Sequence, residues 1–198
     1  AVFAQQASGP VKLDGVLNEW AGAAFVPLKG SALSGGQFKV MWDATHLYLA
    51  VAVRDADIKA YGEERTGVNW RWGFDGIHLR LGASDTCDRV PVDSGTMLPA
   101  GYQVISLAVG GRKSGYPNSA GISPANVRFA AKRIDGGYVL EAAVPLREYG
   151  VLPVAGASIG FDLQLQGASG TFCRYSHREG KLYDGRRLGR LYFSEPGR

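Results

Sequence analysis

The sequence has few of the residues that form metal sites or attach cofactors covalently. Only two of its 198 residues are cysteines, Cys87 and Cys173, and they do not form a Cys-x-x-Cys pair. This excludes a zinc ribbon and a covalently attached haem. The two cysteines either form one bridge between distant segments or stay free, and their spacing does not decide between these states.

The common catalytic signatures are also missing. The chain has no Gly-x-Ser-x-Gly nucleophile elbow, no phosphate-binding glycine loop and no His-Glu-x-x-His motif. Its three histidines are isolated in sequence. Glu141 and Asp162 are the candidates for a glycosidase pair, but both lie on plain strand-like segments without aromatic sugar subsites nearby in sequence. We therefore expect a protein that is not an enzyme.

Long apolar runs and a dense basic patch are absent as well. No run reaches membrane-spanning length, and 22 basic against 18 acidic residues give a net charge of only +4. We expect neither a membrane nor a nucleic acid as partner. Residues 1–6 are similar to the tail of a secretory signal, with small or apolar residues three positions and one position before Gln5. We expect residues 1–8 to be flexible and the protein to be secreted or periplasmic.

Glycine and short alternating segments are abundant. The 28 glycines and nine prolines suit many short strands and turns. Residues 37–42 and 46–54 predict one hairpin, and residues 127–134 and 138–144 predict a second, across an Asp-Gly-Gly turn. A shorter strand is predicted at residues 10–13. About ten strands without a long helix predict an all-β domain over residues 9–198, a two-sheet antiparallel β-sandwich of the jelly-roll type.

Residues 69–82 join two tryptophans, Trp70 and Trp72, to an alternating strand. Three apolar residues of this strand fall on one face, and His78 and Arg80 fall on the other. Aromatic faces stack on sugar rings, while polar groups beside them bind the hydroxyls. The stretch therefore predicts one wall of a ligand site.

Residues 158–166 alternate in the same way. Their apolar residues face inward, and the outward row is Asp162, Gln164 and Gln166. Amide and carboxylate groups are the polar material that a sugar site needs. A carbohydrate-binding module is thus the favoured interpretation.

Several motifs, in order, are similar to those of the family 9 carbohydrate-binding modules and the wider DOMON-like sandwiches. Residues 13–20 (LDGVLNEW) resemble that family's Ile-Asp-Gly-x-x-Asp-x-x-Trp opening. Further similar segments follow at residues 40–48, 72–77, 136–144, 159–164 and 188–191. The resemblance covers most of the chain. It implies a sandwich that binds a polysaccharide or oligosaccharide as a monomeric module, alone or within a multidomain protein.

The resemblance also implies roles for individual residues. Members of the family clamp a terminal sugar between two aromatic residues, and Trp72 stands in the position of the first. Tyr183 is the nearest candidate for the second, where the family has Trp, and Gln164 falls on a polar binding position. His78 stands where a Glu is expected, and Gln103 stands near an expected Arg. These departures affect reducing-end specificity rather than sugar binding itself.

Many members of the family carry structural calcium, which requires several oxygen ligands. Asp14, Asp55 and Asp57 are the candidate ligands in this chain. Asp14 is equally well explained as a turn residue before Gly15.

Two alternatives to sugar binding stay open. Some DOMON domains carry haem b, for which His78 with Met41, Met97 or His177 would be the axial ligands. The other alternative is a module that only docks against neighbouring domains of a larger secreted enzyme.

Overall fold

The computed structural model describes residues 1–28, 35–63, 74–82, 89–92, 96–99, 102–116, 124–167, 172–174 and 188–195. Within these ranges the chain is all-β, and the only helical elements are single 3-10 turns at Asn18–Trp20, Pro124–Asn126 and Leu146–Tyr149. None of these is long and apolar enough to cross a membrane. The expected all-β class is confirmed.

Fourteen strands are described, and their bounds follow in chain order. They are β1 (Val2–Gln6), β2 (Val26–Pro27), β3 (Gly36–Trp42), β4 (His46–Arg54), β5 (Gly76–Gly82), β6 (Arg89–Val92), β7 (Thr96–Pro99), β8 (Tyr102–Ala108), β9 (Lys113–Tyr116), β10 (Arg128–Ile134), β11 (Gly137–Pro145), β12 (Ser158–Gln166), β13 (Phe172–Arg174) and β14 (Gly189–Ser194). Both predicted hairpins are present, as β3–β4 and β10–β11. Residues 10–13 do not form the strand predicted for them.

Hydrogen bonds join twelve of these strands into one sheet. Ten follow the order β10-β11-β4-β3-β1-β14-β12-β5-β8-β9, while β13 pairs with β12 and β2 with β3; β6 and β7 form a separate ribbon. The pairs are antiparallel except that β1 runs parallel to both of its neighbours, β3 and β14. A division into two separate sheets is therefore not confirmed, because β1 connects the two halves of one mixed, curled sheet.

The main core lies between the two halves of this sheet. The rings of Phe38 on β3 and Phe161 on β12 are 5.7 Å apart, and those of Trp42 and Phe193 are 5.3 Å apart. At Gly36 an added Cβ would lie 2.4 Å from the Cδ1 of Leu165, so the opposing strands pack too closely for a side chain there. Alternating apolar residues of both halves thus face each other and exclude water.

The expectation that residues 1–8 are flexible is wrong for Val2–Gln6. This segment is β1, in the middle of the sheet, and Val2 and Ala4 are buried opposite Leu191 and Phe193 of β14. Five residues with two glutamines carry little strand signal of their own. The strand is specified by partners that lie far along the chain.

A second, smaller core covers the outer face of β3, β4 and β11. Trp20 is fully buried there with Met41 and Tyr48, and residues 7–17 contribute apolar side chains at its edge. The N-terminal segment after β1 therefore folds over this half of the sheet. Other residues lie on the outer face of the half that contains β5 and β12.

Candidate functional site

The outer face of β5 and β12 carries a row of polar side chains. His78 and Arg80 of β5 lie directly opposite Gln164 and Asp162 of β12, and Gln166 continues the row. The prediction that these side chains point away from the main core is confirmed. They are nevertheless buried, with exposed fractions of 3–8%. We call these five residues the polar row.

A buried guanidinium lies at the centre of the polar row. Arg80 donates from Nη2 to the Oε1 of Gln164 over 2.7 Å, and its Nη1 lies 3.6 Å from the Oδ2 of Asp162. The side chains of Arg80 and Asp162 are only 7% and 6% exposed. A charge at this depth is tolerated because an opposite charge and a hydrogen-bond acceptor lie beside it.

His78 is connected to the neighbouring strand. Its Nδ1 lies 2.6 Å from the Oγ of Ser106, the residue opposite it on β8. His78 was interpreted as an outward strand histidine, and it does lie on the outer face, although it is 8% exposed rather than open to solvent. The hydroxyl of Ser106 orients the imidazole ring.

The structure does not allow Met41 to act with His78 as a pair of haem ligands. Met41 is buried in the second core beneath the N-terminal segment, whereas His78 lies on the outer face of β5 in the other half of the sheet. The main core separates the two residues. His177 lies outside the described residues, and so does the side chain of Met97.

The proposed aromatic clamp cannot be placed. Trp70, Trp72 and Tyr183 lie outside the described residues. The backbone of Gln103 lies on β8 opposite Leu81, and its side chain is not among those that the structure describes. Cys87 and the side chain of Cys173 are outside it as well. The aromatic residues and Gln103 therefore stay predictions.

Glu141 has a role that the sequence did not reveal. Its Oε2 accepts the backbone N–H groups of Asp14 and Gly15 at 2.9 and 2.5 Å, and its Oε1 accepts the indole N–H of Trp20 at 2.8 Å. Burial raises the pKa of the Glu141 carboxyl, although these three hydrogen bonds act to lower it. The residues of the LDGVLNEW motif thus converge on one fully buried carboxylate.

Glu141 and Asp162 do not form a glycosidase pair. Glu141 faces the second core on the outer side of β11, and Asp162 faces Arg80 on the outer side of β12. The main core lies between these two faces. Both carboxylates are also held by the contacts described above, so neither is placed to transfer protons to a shared ligand.

The three aspartates named for calcium have separate local contacts. Asp14 accepts the N–H of Val16 in a tight turn, Asp55 accepts the N–H of Asp57, and Asp57 contacts the ammonium group of Lys59. In the described part of the chain, no three His, Cys, Asp or Glu side chains group together as metal ligands. The residues present therefore do not fit a calcium ion held by this trio.

Solved carbohydrate-binding proteins share this fold. A carbohydrate-binding module of family 9 from Caldicellulosiruptor kristjanssonii, in complex with cellotriose, has a TM-score of 0.77 and 16% identity over 99% of this chain and 94% of its own. A structure of a family 9 module from that organism in complex with glucose has a TM-score of 0.74 and 17% identity over 98% of this chain and 97% of its own.

A protein from Bacteroides uniformis proposed to bind carbohydrate has a TM-score of 0.66 and 14% identity, with 98% of both chains covered. No protein-family model matches the sequence, and no curated protein is a match to it. At these identities the likeness shows the fold. The resemblance to family 9 carbohydrate-binding modules is thereby confirmed for the fold, whereas the division into two separate sheets is not.

Proposed function

We propose that this protein is a non-catalytic carbohydrate-binding module that holds a terminal sugar of a polysaccharide or oligosaccharide. The observation that carries the proposal is the polar row, because it places an imidazole, a guanidinium and two amides together on one sheet face. Amide and charged groups that surround an aromatic surface are the usual means of recognising sugar hydroxyls. We also interpret the curled sheet, with its two facing halves, as a sandwich closed by β1.

Two further lines support a sugar as the ligand. Solved structures with this fold hold cellotriose or glucose. The sequence places Trp72 four positions before the first residue of β5 and predicts Tyr183 as a second aromatic residue. In the proposed site Trp72 and Tyr183 stack on the two faces of a sugar ring, and Gln164 and His78 bind its hydroxyls. Trp70, Arg80 and Gln103 complete the proposed set.

A binding titration tests this function directly. Glucose, cellotriose and xylotriose are titrated into the wild-type protein and into Trp72→Ala, with heat of binding as the readout. We expect the variant to bind about five- to thirtyfold more weakly, since a stacked aromatic residue contributes on the order of 1–2 kcal/mol. Phe3→Ala, which removes an exposed aromatic residue from β1, is the matched control and should bind normally.

Three outcomes would contradict the proposal. Full binding by Trp72→Ala would remove Trp72 from the site. Failure of the wild type to bind any of a panel of glycans would favour the docking module. A Soret band in the visible spectrum of the purified protein would favour haem instead.

The cellular location follows from the proposed ligand. A module that binds polysaccharide acts where polysaccharide is found, so we propose that the protein is secreted or periplasmic. Fractionation of producing cells, with detection of the protein in the medium or the periplasm, measures this. Retention in the cytoplasmic fraction would contradict it.

A further inference from the structure

The contact between Arg80 and Gln164 determines how the Gln164 amide is oriented. Arginine carries hydrogen-bond donors and no acceptor. The amide atom that faces Nη2 at 2.7 Å must therefore be the oxygen, Oε1. Because the amide is planar, its nitrogen end, Nε2, then points away from the guanidinium. Gln164 is thus oriented as a donor on the side away from Arg80.

Stability alone does not explain why Arg80 and Asp162 lie at this position. Burying two charges is costly, and a separation of 3.6 Å between Nη1 and Oδ2 is longer than a good charge-assisted hydrogen bond. Replacing a buried ion pair by apolar side chains of similar volume is often neutral or stabilising. A function for the pair in orienting a neighbour accounts for its presence.

We propose that Arg80 is a positioning residue for the ligand site, held in place by Asp162, which fixes the Gln164 amide so that its Nε2 donates to an acceptor oxygen of the sugar. The ligand atom at this point is therefore a hydrogen-bond acceptor, such as a hydroxyl or ring oxygen of the sugar. This inference rests on the proposed sugar-binding function. It adds that Gln164 acts as a donor and that Arg80 acts through Gln164.

A double-mutant cycle tests the coupling between the two residues. Arg80→Met, Gln164→Met and the double variant are titrated with cellotriose. We expect each single variant to bind about tenfold more weakly, and the double variant to bind no more weakly than Gln164→Met alone. Wild-type affinity in Arg80→Met would overturn the proposal. Losses that simply multiply in the double variant would overturn it as well.

A control variant and a charge-free variant complete the experiment. Arg133 lies on the edge strand β10 and forms an exposed ion pair with Glu63. Arg133→Met is the control and should leave cellotriose binding unchanged. Arg80→Met alone removes the ion-pair partner of the buried Asp162 carboxylate and risks misfolding. Arg80→Met with Asp162→Leu removes both charges, and should fold normally yet bind about tenfold more weakly.

A spectroscopic readout separates this proposal from the proposed function. The side-chain amide signals of Gln164 are assigned in ligand-free ¹⁵N spectra by their loss in Gln164→Met. We expect one sharp pair of Gln164 amide signals in the wild type. In the double variant Arg80→Met/Asp162→Leu, these signals should be shifted and broadened. If the wild type binds no sugar, the proposed function fails while this spectrum still decides whether Arg80 orients the amide. Unchanged Gln164 signals in the charge-free variant would overturn the positioning role.

Discussion

Two groups of buried polar side chains lie on the outer faces of the two halves of the sheet. Glu141 accepts three N–H groups from the N-terminal segment. Arg80 instead connects two side chains of the neighbouring strand, Asp162 and Gln164. The first arrangement attaches a segment of backbone to the sheet, whereas the second orients a side chain. Substitutions in the two groups should therefore affect different properties.

Replacement of Glu141 by Gln should lower stability without involving the polar row. The amide nitrogen of Gln would face N–H donors, which leaves buried donors without an acceptor. We expect a loss of about 1–3 kcal/mol in the free energy of unfolding, measured by urea titration with tryptophan fluorescence. Glu148→Gln, at an exposed carboxylate that accepts from Asn126, should change it by less than about 0.5 kcal/mol. An equal effect of both substitutions would contradict this role of Glu141.

Asp43 provides a prediction about pH. Burial acts to raise its pKa, but hydrogen bonds from Tyr48, Thr45 and His46 outweigh burial and place it below the usual value of 3.8. Because the unfolded chain then takes up the proton first, the stabilisation is present above about pH 4 and is lost as the pH falls through the lowered pKa.

Asp43→Asn removes most of this stabilisation. We expect it to lower the unfolding free energy by about 1–2 kcal/mol at pH 6, and the difference from wild type should shrink toward pH 3. Thermal unfolding of both proteins between pH 2.5 and pH 6 measures this. A difference that stays constant, or grows on acidification, would contradict the assignment.

At the level of elements, β1 connects the two halves of the sheet. It pairs with β3 on one side and β14 on the other, and the indole of Trp42 on β3 also donates to the backbone carbonyl of Ser194 on β14 over 3.0 Å. The strand therefore contributes both hydrogen bonds and apolar side chains to closure of the sheet. Damage to β1 should affect the whole fold.

Substitutions in β1 should depend strongly on which face they change. Val2→Asp puts a charge into the main core and should cost at least about 3 kcal/mol of unfolding free energy. Phe3→Asp removes an exposed ring stacked on Tyr192 and should cost about 1 kcal/mol or less. The measurement is thermal unfolding followed by circular dichroism. Similar losses for both would mean that β1 does not occupy the middle of the sheet.

The elements that could be predicted from the sequence are those with local signals. The β3–β4 and β10–β11 hairpins combine alternation with turn residues, and Gly136 has the positive φ of 68° that its turn requires. Alternation also placed His78, Arg80 and Gln164 on the correct face. It could not show that this face is buried, because burial depends on which residues lie nearby in space rather than in sequence. The parallel pairing of β1 has no local signal for the same reason.

Across the whole molecule, one sheet encloses one main core, and the proposed ligand site lies on the outside of it. A sugar bound there need not rearrange the core, so binding should appear as simple stabilisation of the folded state. Cellotriose at about 100 times its Kd should add about 2.7 kcal/mol. For a domain of this size the midpoint of thermal unfolding should then rise by about 5–10 °C.

Differential scanning calorimetry with and without cellotriose measures this shift. Maltotriose, which carries the same sugar units in a different linkage, is added at the same concentration as a comparison. An unchanged midpoint in every sugar tested would contradict the proposed function.

The position of β1 also affects the time course of folding. Val2 of β1 pairs with Leu191 of β14, which is synthesised about 190 residues later. The pairing of these two strands therefore has a very large sequence separation, which slows folding. Until β14 is synthesised, the edge of β1 that pairs with it is open to other chains. We expect the hairpins to form early and the pairing of β1 to be the slow, final step. During synthesis the half-built sheet would depend on a chaperone or on rapid release from the ribosome to avoid aggregation.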